Sequence, residues 1–141
     1  MSRSWRILVV EDEGVLALQL ERLLEREGHR VVGIAPYAGL ANALAQEHQP
    51  DLALVDLNLE NGLTGIETAH ALIHEYNVPV VFVTGSPEEI PDGLAGALGV
   101  ISKPFTPEIF LNAFRYVIGL MDGAGGPGGL PPNLRLPRNA A

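Results

Sequence analysis

A chain of 141 residues, 47% of them apolar, is sized for one domain with a real core. Its formal net charge of −8 argues against a nucleic-acid partner, which needs a basic face, and leaves room for a cation or a basic protein. The absence of cysteine excludes a disulfide framework and a thiolate metal site. No apolar run nears the ~20 residues of a membrane span, and only four apolar residues follow "MSRSWR", too few for a secretory signal, so a cytoplasmic protein without membrane contact is expected.

In chain order, short β-branched runs alternate with segments of helical period. Trp5–Val10 reads as a strand. Gly14–Glu27 reads as a helix with Leu16, Leu20, Leu23 and Leu24 on one face, stopped by Gly28. Val31–Ala35 is a second strand, Gly39–Glu47 a helix closed by Pro50, and Leu52–Val55 a third strand running into Asp56. A loop rich in glycine and asparagine, Asn58–Thr64, leads to a helix over 65–76, and Pro79–Thr84 is a fourth strand. Pro87 and Pro91 predict a fourth helix that is short or broken. Val100–Lys103 is a fifth strand. Thr106, Pro107 and Glu108 then open a last helix as cap, first-turn proline and first-turn acid, with Ile109, Phe110, Ala113, Phe114, Val117 and Met121 on its apolar face.

Five strand–helix units in alternation imply an α/β fold with a parallel sheet covered on both faces. "ILVV" and "VVFV" fit, because neither run alternates with polar residues. The domain is expected over 1–121. The remaining twenty residues, 122–141, contain nine Gly or Pro and are expected to be a flexible tail that packs nothing, too short for a DNA-binding output domain.

In such sheets functional groups gather at the carboxyl ends of the strands. Strand one ends in Glu11 and Asp12, strand three in Asp56, strand four in Thr84 and strand five in Lys103. Clustered carboxylates raise one another's pKa unless a positive charge sits among them. With oxygen ligands alone, the favoured partner is a hard cation, Mg²⁺ before Ca²⁺. Metal, lysine and hydroxyl around one aspartate suit phosphoryl transfer, with the carboxylate itself able to act as nucleophile.

These residues carry a resemblance. "ILVVEDE", Asp56 closing "LALVD", Thr84 in "VVFVTG" and "SKPF" at 102–105 resemble the response-regulator receiver domain of two-component signalling, over about residues 5–121. The resemblance implies a doubly wound, flavodoxin-like (βα)5 fold with strand order 2-1-3-4-5. It implies Asp56 as phosphoacceptor, and Asp12, Asp56 and the backbone carbonyl of Asn58 as Mg²⁺ ligands, with Glu11 acting through water. Thr84 and Lys103 are implied to bind phosphoryl oxygens, and Lys103–Pro104 to be a cis peptide bond. The donor would be a histidine kinase, of HWE or related type, or a phosphotransfer protein. The chain would be a single-domain response regulator that assists its own phosphorylation and dephosphorylation rather than an enzyme. It would act by partner binding, phosphorelay or as a phosphate sink.

The stretch "DLNLENGLTGIE" lacks the family's usual Met-Pro pair and, with "GHRVVGIA" and "ISKPF", is similar to the receivers of PhyR-type anti-anti-sigma factors and other alphaproteobacterial receivers. The switch position three residues before Lys103, often aromatic in the family, is Val100, so the usual threonine–aromatic coupling is not expected.

Singly, each site residue has an ordinary reading: a solvated helix start for the acids, a turn former for Asp56, a strand end for Thr84, a loop for Lys103. Together they do not. Two rivals remain. One is a Mg²⁺-dependent phosphatase or nuclease, which would want Asp-x-Asp where the chain has Asp56-Leu57-Asn58. The other is a receiver-like interaction module that is never phosphorylated. Val15 and Leu18 lie off the core stripe of the first helix as a candidate kinase-docking patch. Leu111 and Tyr116 raise a homodimer, and His70 and His74 stand four apart, more simply a solvated pair than a metal site.

Overall fold

Strand runs that are apolar at every position require a sheet covered on both sides, and the fold supplies one. The computed structural model describes residues 3–59, 65–123 and 129–138. Five strands, β1 (Arg6–Val10), β2 (Arg30–Ala35), β3 (Leu52–Val55), β4 (Val80–Thr84) and β5 (Gly99–Ser102), pair in parallel in the order β2-β1-β3-β4-β5. Helices α1 (Gly14–Arg26) and α4 (Pro107–Met121) cover one face, and α2 (Ala38–His48) and α3 (Gly65–Glu75) the other.

Alternate side chains of each strand enter opposite cores, as a period of two demands. In β1, Ile7 and Val9 pack with Leu20, Leu24, Phe110 and Phe114, whereas Leu8 and Val10 pack with Ala41, Ala45 and Leu72. Ile7, Leu8, Val9 and Val10 are all fully buried. Burial of this kind stabilises by about 25 cal/mol per Å² of apolar surface, which makes the two-faced sheet the dominant favourable contribution to the fold.

The helix ends follow the expected chemistry. Gly28, at φ +95, closes α1. Its amide donates to the Glu25 carbonyl at 3.0 Å and the next amide, of His29, to that of Leu24 at 3.0 Å. Thr106 Oγ1 accepts from the Ile109 amide at 3.1 Å and caps α4.

Two expectations need correction. The segment between β4 and β5 holds no α-helix, so the described residues contain four α-helices rather than five. Two 3₁₀ turns, Pro87–Glu89 and Leu94–Gly96, stand there instead. Pro87 and Pro91 lack the amides a helix needs, and Leu94 and Ala95 adopt φ of 55° and 52°, which no α-helix admits. The segment still packs, burying Ile90, Leu94 and Ala97.

The second correction concerns the C-terminal residues. Residues 129–138 do not trail free: Leu134–Arg135 form a sixth strand, β6, antiparallel to β5, pairing Leu134 with Ile101 and Arg135 with Val100. Leu134 joins the core beside Ile101 and Val117. Composition misleads here because the hydrogen-bonding partner is supplied by β5, not by the segment itself. Residues 124–128 and 139–141, and most of the loop expected over Asn58–Thr64, lie outside the described residues. Among the described residues no helix is long and apolar enough to cross a membrane.

Candidate functional site

The strand order puts the ends of β1 and β3 side by side, with β4 and β5 beyond. Glu11 follows β1 directly, its amide tied to the Ala35 carbonyl at 2.9 Å. Asp56 follows β3, its amide tied to the Val10 carbonyl at 2.9 Å. Each acid is thereby fixed by the neighbouring strand. The Lys103 amide donates to the Thr84 carbonyl at 2.8 Å, which extends the β4–β5 ladder one residue past the strands. The Lys103–Pro104 peptide bond is cis, as expected.

From these roots the side chains converge. Carboxylate oxygens of Glu11, Asp12 and Asp56 lie within 4.8 Å of one another. Lys103 Nζ donates to Glu11 Oε1 at 3.0 Å and stands 3.7 Å from Asp56 Oδ2. Glu11 Oε2 accepts from the Glu13 amide at 3.1 Å. Glu11 and Asp56 are buried and Asp12 is exposed, so the cluster meets solvent at Asp12.

Burial sets the electrostatics. Desolvation pushes the Glu11 carboxyl up to about 7, against the opposing pull of the Lys103 hydrogen bond. Desolvation also raises Asp56. Lys103 opposes the rise, as do the amides of Leu57 and Asn58 that donate to its carboxylate. Three carboxylates face one ammonium, a formal deficit of two positive charges. Protons or a divalent cation can make it good. The donor set is all oxygen, two buried and one wet, and fits Mg²⁺, which keeps water beside one or two carboxylates.

Thr84 is fully buried, and its Oγ1 accepts from the Ser86 amide at 3.0 Å. Val100 is fully buried in the core that contains Phe82 and Leu94, paired across the sheet with Phe82 and Arg135. Asn58 is exposed beside the cluster.

Sequence reasoning passed over Gly65. It opens α3, donates its amide to the Leu57 carbonyl at 2.6 Å, and faces the backbone of Asp56. A Cβ there would collide with the Asp56 carbonyl oxygen and lie 2.8 Å from Leu57 Cα. The one signal in the sequence is a glycine at the first position of a helix.

The remaining candidates sit apart from the cluster. Val15 is 79% and Leu18 49% exposed, on a groove of about 570 Å³ that Arg22, Arg26 and Pro107 also line. Leu111 and Tyr116 are half-buried against the α1–α4 core. The rings of His70 and His74 lie 4.4 Å apart on α3, and no third ligand joins them among the described residues.

A parallel 2-1-3-4-5 sheet with an acidic cluster and a lysine at its carboxyl end defines a class, and residues 7–115 match the response regulator receiver domain family. The chain belongs to that family, a component of two-component systems. It is 38% identical over 103 residues to the phyllosphere-induced regulator PhyR of Methylorubrum extorquens, covering 72% of this chain and 39% of that protein. It is 32% identical over 116 residues to the transcriptional regulatory protein PdtaR of Mycobacterium tuberculosis, covering 80% of this chain and 56% of that one. The chain thus spans between two-fifths and just over half of these relatives' length.

Among solved structures, the receiver domain of Erythrobacter litoralis PhyR superposes with a TM-score of 0.72 at 27% identity, covering 90% of this chain and 97% of that one. A mutant of the anti-anti-sigma factor PhyR from Bartonella quintana gives 0.75 at 26%, covering 88% and 52%. The expected likeness to PhyR-type receivers and the expected strand order are both borne out.

Proposed function

We propose that the chain accepts a phosphoryl group on Asp56 from the phosphohistidine of a partner kinase, of HWE or related type, or of a phosphotransfer protein. An Asp56 carboxylate oxygen attacks phosphorus, the P–O bond forms as the P–N bond breaks, and the electron pair leaves with the imidazole. Water later attacks the same phosphorus and returns the free carboxylate and inorganic phosphate. Mg²⁺ would be held by Asp12, Asp56 and the Asn58 carbonyl, with Glu11 through water, and when bound it supplies charge neutralisation for the transferring oxygens. Lys103 receives one phosphoryl oxygen. The Thr84 hydroxyl, whose oxygen already accepts from Ser86, donates its proton to another.

The observation that carries this reading is Lys103 Nζ standing 3.7 Å from Asp56 Oδ2 while anchored on Glu11. An ammonium held by one acid and leaning over another is preorganised for an arriving anion. In this reading the protein assists its own modification rather than turning over a substrate. It then signals through a protein partner or passes the phosphate on. A relative described as an anti-anti-sigma factor, and a net charge of −8, favour a protein over DNA as the downstream contact. The Val15–Leu18 groove, flanked by Arg22 and Arg26, is the proposed kinase-docking surface.

Incubation with acetyl phosphate and Mg²⁺, followed by intact-mass measurement, tests the reading. One added phosphoryl group that is absent in Asp56→Asn is the expected result. Turnover of a generic phosphoester points instead to a metal-dependent phosphatase, and no reaction at all to an interaction module that is not phosphorylated.

A further inference from the structure

The C-terminal segment meets the candidate site through one residue. Asn133 stands at φ 68°, in the left-handed region, just ahead of β6. Its side-chain Nδ2 donates to the Ser102 carbonyl at 2.6 Å and to the Pro104 carbonyl at 3.0 Å, and its own carbonyl accepts from the Ser102 amide at 2.9 Å. Ser102 and Pro104 flank Lys103. One amide group therefore grips the backbone on both sides of the residue whose ammonium reaches Glu11 and Asp56. The rest of the segment is pinned independently. Leu134 is buried, Arg135 Nη2 donates to the Ile90 carbonyl at 3.0 Å, and the Arg138 amide donates to the Asp92 carbonyl at 3.0 Å.

A lysine is a point charge on a flexible four-carbon stem. Its head keeps a fixed address only when the root of the stem is fixed. From β4 that root receives one backbone hydrogen bond, and from Asn133 its two neighbours receive three. We propose that Asn133 is a positioning residue for Lys103, so that docking of 129–138 on β5 sets where the ammonium lies. By linkage, whatever holds the ammonium in place strengthens docking of the segment in equal measure. The functional consequence rests on the reading that Lys103 binds the phosphoryl group; the placement of the ammonium does not.

Lys103 is the only lysine in the sequence, so an amine-reactive ester at trace concentration labels it and the N-terminal amine alone. The full chain is labelled without any phosphate donor and read by mass spectrometry, with the N-terminal amine as internal reference. Asn133→Gly keeps the left-handed backbone and removes the donors. Asn133→Asp tolerates the same backbone and sets a carboxylate against two carbonyls. In both, Lys103 labelling is expected to rise about fivefold, the factor one ordinary hydrogen bond represents, with exchange of the Ser102 amide accelerating in step. Arg138→Ala, which removes only the outer pair with Asp92, leaves Lys103 labelling unchanged.

Unaltered emission from Trp5, buried at the far end of β1, certifies that a variant is folded. A folded variant with faster Ser102 exchange but unchanged Lys103 labelling overturns the proposal, as does unchanged Ser102 exchange. An equal rise in Arg138→Ala also overturns it, since the effect then belongs to the segment at large. If the wild-type chain takes no phosphate on Asp56, the proposed function fails while the labelling result stands by itself.

Discussion

Gly65 has no room for a side chain, and the reason lies in the site: its Cα faces the carbonyl of Asp56. Gly65→Ala must displace the Asp56–Leu57 backbone or the start of α3, at a cost of about 1–3 kcal/mol, the usual range for overpacking. Urea unfolding should report that loss, together with weakened phosphorylation of Asp56. Lys103→Ala removes the one ammonium from among three carboxylates. Acetyl-phosphate labelling of Asp56 should slow by about 10²-fold, the usual effect of deleting a preorganised charge-stabilising donor. The gathering of Glu11, Asp12, Asp56 and Lys103 was legible in the sequence because each is a polar residue at or just past the end of an apolar run, a pattern that survives without coordinates. Gly65 and Asn133 were not, because what each does is set by a backbone carbonyl nine or more residues away. No local pattern encodes such a distance.

At the scale of elements, β1 is tied to the start of β2 by a histidine. The Trp5 amide donates to His29 Nδ1 at 3.1 Å, which needs a neutral ring, and burial lowers the His29 pKa. A folded-state pKa below the unfolded value near 6.5 means a stability contribution fully present above about pH 6.5 and lost as pH falls through the folded value. Chemical denaturation from pH 7 downward should show this decline in the wild type and not in His29→Leu. The helices α1 and α4 are joined by Arg115, which contacts both Glu27 oxygens at 2.6 and 2.8 Å. The pair is half-exposed, so Arg115→Ala should cost under about 1 kcal/mol and less in high salt. The period of two, the glycine stop of α1 and the threonine cap of α4 made these elements readable. The break before β5 was legible from Pro87 and Pro91, whereas the two-residue β6 was opaque, since it is held by β5 rather than by its own propensity.

For the molecule as a whole, the buried acids tie stability to pH and, in the proposed reading, to a divalent cation. Glu11, raised to about 7 by burial, favours folding most when protonated below its ordinary value, and that contribution fades as pH rises towards 7. A divalent ion needs the deprotonated form, so Mg²⁺ and protons compete. Thermal unfolding should shift upward with Mg²⁺ at pH 7.5, by about 2.7 kcal/mol at a hundred times its dissociation constant, and much less at pH 5.5. Asp12→Asn with Asp56→Asn should abolish the shift.

The sixth strand has a further effect at this scale, on how copies meet. A parallel sheet presents two rows of unpaired backbone groups, one at each flank, and a protein with both rows bare can stack copy on copy without end. Here the flank beyond β5 is closed by a strand two residues long, set between prolines at 131, 132 and 137, which offers a newcomer almost nothing to zip onto. Among the described residues the β2 flank is the longer unpaired edge. A second copy added there, edge to edge, would leave only the short β6 flanks facing outward.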